Sequence, residues 1–265
     1  MSHRKSGLSG KVETEVVLII KDRAEQTAKA IADLSIIADY RLTHRRSLTI
    51  HDTYFDTDSK YFAKNRITFR IRQSSHGAIL SVKSSPQKLA RGGASRVESE
   101  HPWSYGSLAR VSEELGLETP DRMIFKQSAR SPLKVLTKAG FEIIQDRLTQ
   151  RKSRDLVVFR KGKSFRFAEL AIDGVTYIFR KGRVRLIELE IEAKAPGALP
   201  RIRRVVDCLL SDYPSLQVWA HGKFLTGLAI NRLLRKRSLS DLSRQGLVRT
   251  RVFQVIDQTI RKGQL

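Results

Sequence analysis

Residues 65–72 read NRITFRIR. Successive side chains of a strand point to opposite faces. Arg66, Thr68, Arg70 and Arg72 therefore share one face, and Ile67, Phe69 and Ile71 the other. The same sorting works outward in both directions. In KVETEVVLII (11–20), Lys11, Glu13, Glu15 and Val17 share a face. In ILSVK (79–83), Ser81 and Lys83 oppose Leu80 and Val82. In SRVESEH (95–101), Arg96, Glu98 and Glu100 align. In FAELAID (167–173), Glu169 and Asp173 oppose Leu170 and Ile172, and in IELEIEA (187–193), Glu188, Glu190 and Glu192 oppose Leu189 and Ile191.

Like charges on one face of a strand repel unless an opposite charge lies between them. Six strands with this pattern call for counter-ions, and two arrangements answer. Arg, Lys and Glu can pair across strands. Alternatively, the carboxylates hold divalent metal while the cations hold phosphate, since Mg²⁺ and Mn²⁺ take hard oxygen ligands and Arg grips phosphate oxygens in pairs. The expected fold is α+β: a closed eight-stranded antiparallel β-barrel with a charged interior and helices packed outside.

The helices that would cover the apolar face are readable. Residues 23–38 have helical spacing, 107–116 end on Gly116 as helices favour, 131–140 read as a short helix or a turn, and 198–213 and 223–237 read as helices. Strands are expected from about residue 47 to 103 and again over 141–193, with turns near Gly162, Gly174 and Gly182 and a loop over 84–95. The organisation expected is a flexible lead-in (1–10), one domain (11–230) and a basic helical C-terminal extension (231–265).

The 265 residues carry a net charge of +23, which favours polyanionic partners such as nucleotides, polyphosphate or nucleic acid. The tail from Asn231 holds nine Lys and Arg against two Asp and Glu. The single cysteine, Cys208, excludes an internal disulfide framework and a cysteine-rich zinc site. No run approaches the roughly 18 apolar residues of a membrane span, and the first residues lack an apolar signal core, so a cytoplasmic location is expected. His44, His51, His76, His101 and His221 have no metal-ligand spacing.

The ordered set VETEVVL (12–18), TYFDTDSKYFAKNRITFRIR (53–72), ILSVK (79–83), SRVESE (95–100), AELAID (168–173), IELEIEAKAP (187–196) and HGKFLTGL (221–228) resembles the CYTH-domain proteins of the triphosphate tunnel metalloenzyme superfamily. The resemblance implies a tunnel that binds a triphosphate group with Mg²⁺ or Mn²⁺. Known activities of the family are inorganic triphosphatase, thiamine triphosphatase, class IV adenylate cyclase and RNA triphosphatase. It assigns Glu13 and Glu15 to the leading glutamate motif, and implies that they are catalytic with Glu98 and Glu100. Arg70, Arg72, Lys83, Arg96 and Lys223 match phosphate-binding cations, with Arg147 and Arg151 both near a further strand arginine. Glu98, Glu100, Asp173, Glu188 and Glu190 match the metal-binding acids. The leading motif usually ends in Lys, and here Val17 stands in its place. The expected function is metal-dependent triphosphate hydrolysis weakened by Val17. The alternatives are a non-catalytic polyphosphate or nucleotide binder and an adenylate cyclase.

Overall fold

The computed structural model describes residues 10–89 and 93–263. The expected lead-in lies outside them, apart from Gly10. The chain runs β1 (Lys11–Ile20), α1 (Ala24–Asp33), β2 (Ile36–Ile37), β3 (Tyr40–Thr57), α2 (Tyr61–Lys64), β4 (Thr68–Ser74), β5 (Gly77–Lys83), β6 (Gln87–Lys88) and β7 (Gly93–Pro102). Next come α3 (Tyr105–Leu115), α4 (Arg122–Ser128), α5 (Pro132–Lys138), β8 (Phe141–Arg160), β9 (Lys163–Phe179) and β10 (Gly182–Ala193). It ends with α6 (Leu199–Asp212), β11 (Leu216–Val218), α7 (Lys223–Lys236), α8 (Leu239–Leu242), β12 (Ser243–Arg244), β13 (Leu247–Val248) and α9 (Thr250–Arg261).

The fold is α+β. Hydrogen bonding links strands in the order β1-β7-β5-β4-β3-β8-β9-β10, and β1 also pairs with β10, so these eight strands form a ring. The registers of β3–β4, β4–β5, β5–β7, β9–β10 and β10–β1 are antiparallel. The short β13 joins β10 in parallel.

The chain forms two compact units. The first comprises residues up to 13, 50–87 and 95–146. Its core sets Phe69, Ile71, Leu80 and Val82 against Leu108 and Val111 of α3 and Val135 and Leu136 of α5. Burying each such side chain contributes roughly 1.5–3 kcal/mol. The helices therefore fix which face of β4 and β5 turns to them, and the opposite face carries Arg70, Arg72, Ser81 and Lys83.

The second unit comprises residues 14–49, 88–94 and 147 onward. One face of its strands, with Val16, Leu18, Leu170, Ile172, Leu189 and Ile191, packs with Ile31 of α1 and Ile202, Val205 and Leu209 of α6. The other face is not charged throughout. Val17, Ile19, Val175, Tyr177, Val184 and Leu186 form an apolar cluster with Trp219, Ile230 of α7 and Val252, Phe253 and Ile256 of α9. The fully charged interior expected from parity is corrected on this stretch: the C-terminal helices bring apolar side chains to it.

Four local expectations are also corrected. Helix α1 stops at Asp33, because Leu34 is extended and Ala38 and Asp39 take positive φ, which lets Ile36 and Ile37 pair back with Arg41 and Tyr40. Arg66 has φ 54°, so β4 begins two residues later and Arg66 is not on the Arg70 face. Gly174 lies inside β9, opposite Ile187, where it leaves room for the Arg185 guanidinium: an added Cβ would sit 3.0 Å from its Nη2. Within the expected 84–95 loop, residues 87–88 form β6 and β7 begins at Gly93.

Candidate functional site

In the first unit, β3, β4, β5, β7 and the start of β1 present charged side chains to one another. Register places Asp52 opposite Arg72, Tyr54 opposite Arg70, and Lys83 opposite Glu98. Arg70 is 3% exposed. It lies 3.4 Å from Asp52, 3.2 Å from Glu98 and 3.6 Å from Glu100, and donates to the Tyr54 hydroxyl at 3.2 Å. Arg72 Nε donates to Asp52 Oδ1 at 2.9 Å. Lys83 Nζ reaches Glu13 Oε2 and Glu98 Oε1, both at 2.9 Å. Arg96 Nε donates to the same Glu13 oxygen at 2.9 Å.

These contacts set the charges. Burial alone would lower the pKa of Arg70, but Asp52, Tyr54 and the two glutamates raise it well above the usual guanidinium value. Burial pushes the Glu13 carboxyl up, and Lys83 and Arg96 outweigh it, holding the pKa at about 2. Glu98 is lowered in the same way, burial opposing and Lys83 prevailing. Glu100 is raised by burial and by its neighbour Glu98. Lys83 and Arg70 are buried cations on rigid strands beside acids, an arrangement suited to exchanging carboxylate for phosphate oxygens.

In the second unit, β8, β9, β10 and the first turn of α7 converge. Arg151 grips Asp173 with two hydrogen bonds, Nε to Oδ1 at 2.8 Å and Nη2 to Oδ2 at 2.6 Å, and also bonds Glu190. Lys223, the first residue of α7, extends its ammonium to Asp173 at 3.0 Å and to Glu188 and Glu190. Asp173 and Glu188 are opposite each other in the β9–β10 register and both buried. Val17 is opposite Glu190, and Ile19 opposite Glu188. Asp173, Glu188 and Glu190 each offer an oxygen, all within 4.8 Å of one another, as divalent-ion ligands would.

The fit to a cation rests on Glu188. Burial drives its carboxyl up to about 7, against the opposing pull of Lys223. Its Oε1 is met by the Lys223 ammonium, and its Oε2 has no hydrogen-bond partner among the described residues. A buried carboxylate oxygen without a partner is costly. Three carboxylate oxygens within 4.8 Å of one another form a set of hard donors suited to a divalent ion. The residues present fit Mg²⁺ or Mn²⁺.

The structure thus assembles the assigned residues in two groups. Glu13, Arg70, Arg72, Lys83, Arg96, Glu98 and Glu100 meet in the first unit. Arg151, Asp173, Glu188, Glu190 and Lys223 meet in the second. Glu15 and Arg147 are buried on β1 and β8 of the second unit. Arg147 and Arg151 belong to one strand and share its parity. Sequence reasoning passed over Asp52 and Tyr54, which bind Arg70 directly. Their signal was parity within HDTYFDT (51–57), where Asp52 and Tyr54 fall on one face.

The family model for the CYTH domain matches residues 13–211. No curated protein sequence matches the chain. Among solved structures, the chain is similar to a Hippeastrum protein proposed as an adenylyl cyclase and found to have a dominant triphosphatase activity. That match has 18% identity and a TM-score of 0.52, covering 82% of this chain and 95% of the other. It is also similar to a Pyrococcus horikoshii protein, at 16% identity and TM-score 0.45, covering 85% and 99%. The RNA triphosphatase Pct1 of S. pombe matches at 9% identity and TM-score 0.37, covering 77% and 80%.

Proposed function

Because the chain belongs to the CYTH domain family, we propose that it hydrolyses a triphosphate-bearing substrate with the help of Mg²⁺ or Mn²⁺, and that its ring of strands serves as the family's barrel-shaped tunnel. The observation that carries this reading is the trio Asp173, Glu188 and Glu190, held within reach of one ion by Arg151 and Lys223. These three carboxylates would hold the metal. The metal, when bound, supplies polarisation of the phosphoryl oxygens and neutralisation of their charge.

The remaining work falls to this chain's own side chains. Arg70, Arg72, Lys83 and Arg96 bind phosphate oxygens and stabilise charge as the transferred phosphoryl group loosens from its leaving oxygen. Glu13 and Glu98 hold Lys83 and Arg96 in place between substrates. We assign to Glu100, whose carboxyl is raised by burial and by Glu98, the acceptance of a proton from the attacking water. Lys223, at the start of α7 beside the trio, would be a further phosphate-binding cation.

The test is phosphate release by the full chain from tripolyphosphate, ATP and thiamine triphosphate, with Mg²⁺, with Mn²⁺ and after chelation. Turnover with metal and none after chelation is expected. Arg70→Ala should lower the rate about a hundredfold or more, as loss of one preorganised charge-stabilising donor does. Absence of turnover with every substrate and both metals sinks the hydrolase reading. It would leave a polyphosphate or nucleotide binder, which Val17 favours: an ammonium at that position is replaced by a side chain embedded in the apolar cluster. Cyclic AMP and pyrophosphate from ATP, in place of phosphate, would instead identify a cyclase.

A further inference from the structure

The acidic trio uses one face of β9 and β10. On the opposite face, within the second unit, lies a cavity of about 600 Å³. Its apolar wall is built from Leu170 and Ile172 of β9, Ile187 of β10 and Ile31 of α1, with Ala28 of α1 opening space above them. Parity separates it from the site already described, because Leu170 and Ile172 point away from Asp173, and Ile187 away from Glu188. The size falls in the roughly 300–1,000 Å³ range of small-molecule sites.

Its rim is basic, and several of the cations are already neutralised. Lys29 pairs with Asp33 at 2.7 Å, Arg185 with Glu25 at 2.7 Å, and Arg46 with Asp155 at 2.6 Å and Glu169 at 2.7 Å. Arg45, Lys152 and Arg154 also line the cavity, and no carboxylate forms an ion pair with any of them among the described residues. Arg154 is the most constrained. Its terminal nitrogens donate to the main-chain carbonyls of Leu34 and Leu42, while its Nε is buried with no hydrogen-bond partner among the described residues. Burial, and after it the charge of Arg45, lower its pKa. Like charges gathered at this rim repel, and an anion placed among them relieves the repulsion. A bare hydrated anion would gain nothing from Leu170, Ile172 and Ile187.

We propose that this cavity binds a small amphiphilic anion: an aliphatic or aromatic body lying on Leu170, Ile172 and Ile187, and a carboxylate, phosphate or sulfonate head met by Arg45, Lys152 and Arg154. The site is independent of triphosphate chemistry and stands whether or not the chain is a hydrolase.

The probe is 8-anilinonaphthalene-1-sulfonate, titrated by fluorescence into the full chain. Laurate, 1-naphthyl phosphate and inorganic phosphate serve as competitors. Saturable one-site binding is expected, displaced by laurate, by naphthyl phosphate or by both, which separates a fatty-acid-like ligand from an aryl phosphate. Inorganic phosphate at the same concentration should leave it in place. Arg45→Glu combined with Lys152→Glu, both on exposed side chains, should weaken binding at least tenfold without moving the unfolding midpoint. Ala28→Trp, which fills the space over the apolar wall, should weaken it as much. The proposal is overturned by non-saturable binding, by equal displacement with inorganic phosphate, or by a double reversal that leaves affinity within twofold. If Ala28→Trp does not fold, the charge reversal alone decides.

Discussion

Glu13 shows how much one oxygen can carry. Its Oε2 accepts from both Lys83 and Arg96 at 2.9 Å, so the folded-state pKa falls from 4.5 to about 2. A depressed carboxyl pKa means that the unfolded chain binds more protons between these values. The stabilisation is therefore full above about pH 4.5 and is lost as pH falls toward 2. A difference of this size corresponds to about 3 kcal/mol. Urea unfolding of wild type should weaken on going from neutral pH to about pH 3, and Glu13→Gln should lose much of that dependence. Equal acid sensitivity in the two proteins would show that the two cations do not set this carboxyl. The alternation that places Glu13 was legible in the sequence, and so was the basic face of Arg70 and Arg72. Asp52 was harder to read, because HDTYFDT mixes polar and aromatic residues on both faces and the aspartate gains meaning only from the arginines beside it. Val17 was legible as a departure, but its surroundings were not. They depend on Trp219, Phe253 and Ile256, which reach it from more than two hundred residues away in the chain.

At the scale of elements, the turn from β3 into α2 depends on Asp56. This buried carboxylate accepts from the backbone of Thr57 at 2.8 Å and Phe62 at 2.9 Å through Oδ1, and from Ala63 at 3.2 Å through Oδ2. It thereby satisfies amides at the start of a four-residue helix that has no side-chain cap of its own, and it seats Phe62 against Phe69 with ring centroids 4.9 Å apart. Asp56→Ala leaves the buried Phe62 amide and two part-buried ones open and should cost about 1–3 kcal/mol in chemical unfolding, with Asp56→Asn recovering part of it. An alanine variant within a few tenths of a kcal/mol of wild type would assign the turn to the Phe62 contact instead. Elements with strong local signals were read within a residue or two: α3 ends at Gly116 with φ 65°, and α6 and α7 follow their apolar spacing, while 131–140, open between helix and turn in the sequence, forms α5. β3 was read late. Its first half, YRLTHRRSLT, alternates only over Tyr40, Arg41 and Leu42 and is otherwise largely exposed, and it is a strand through its hydrogen-bonded neighbours β2 and β8. Gly174 looked like a turn because a glycine interrupts a strand pattern. In β9 it instead admits the Arg185 side chain.

At the scale of the whole molecule, the net charge of +23 was a sound pointer to anionic partners but a poor guide to where anions bind, since most cations near carboxylates are paired. The C-terminal stretch illustrates this. It adds basic residues, yet its α9 also supplies Val252, Phe253 and Ile256 to a core. Acids also gather locally: Asp173, Glu188 and Glu190 lie beside Arg151 and Lys223 with oxygens within 4.8 Å of one another. Burial raises the Glu188 carboxyl to about 7. A raised carboxyl pKa contributes stability that is complete below about pH 4.5 and is lost as pH climbs through about 7. In the metal-free protein the buried Glu188 is therefore charged mainly in the alkaline range, and a divalent ion stabilises most there. Mn²⁺ at about a hundredfold excess over its dissociation constant stabilises a protein by about 2.7 kcal/mol through mass action alone. Thermal unfolding should show an upward shift with Mn²⁺ that is larger near pH 8 than near pH 6, because at the lower pH the ion must first displace the proton on Glu188. Chelation should reverse it, and Glu188→Gln should remove most of it at both pH values. A shift of the same size at both pH values, or one that survives Glu188→Gln, would place the stabilising ion somewhere other than these three carboxylates.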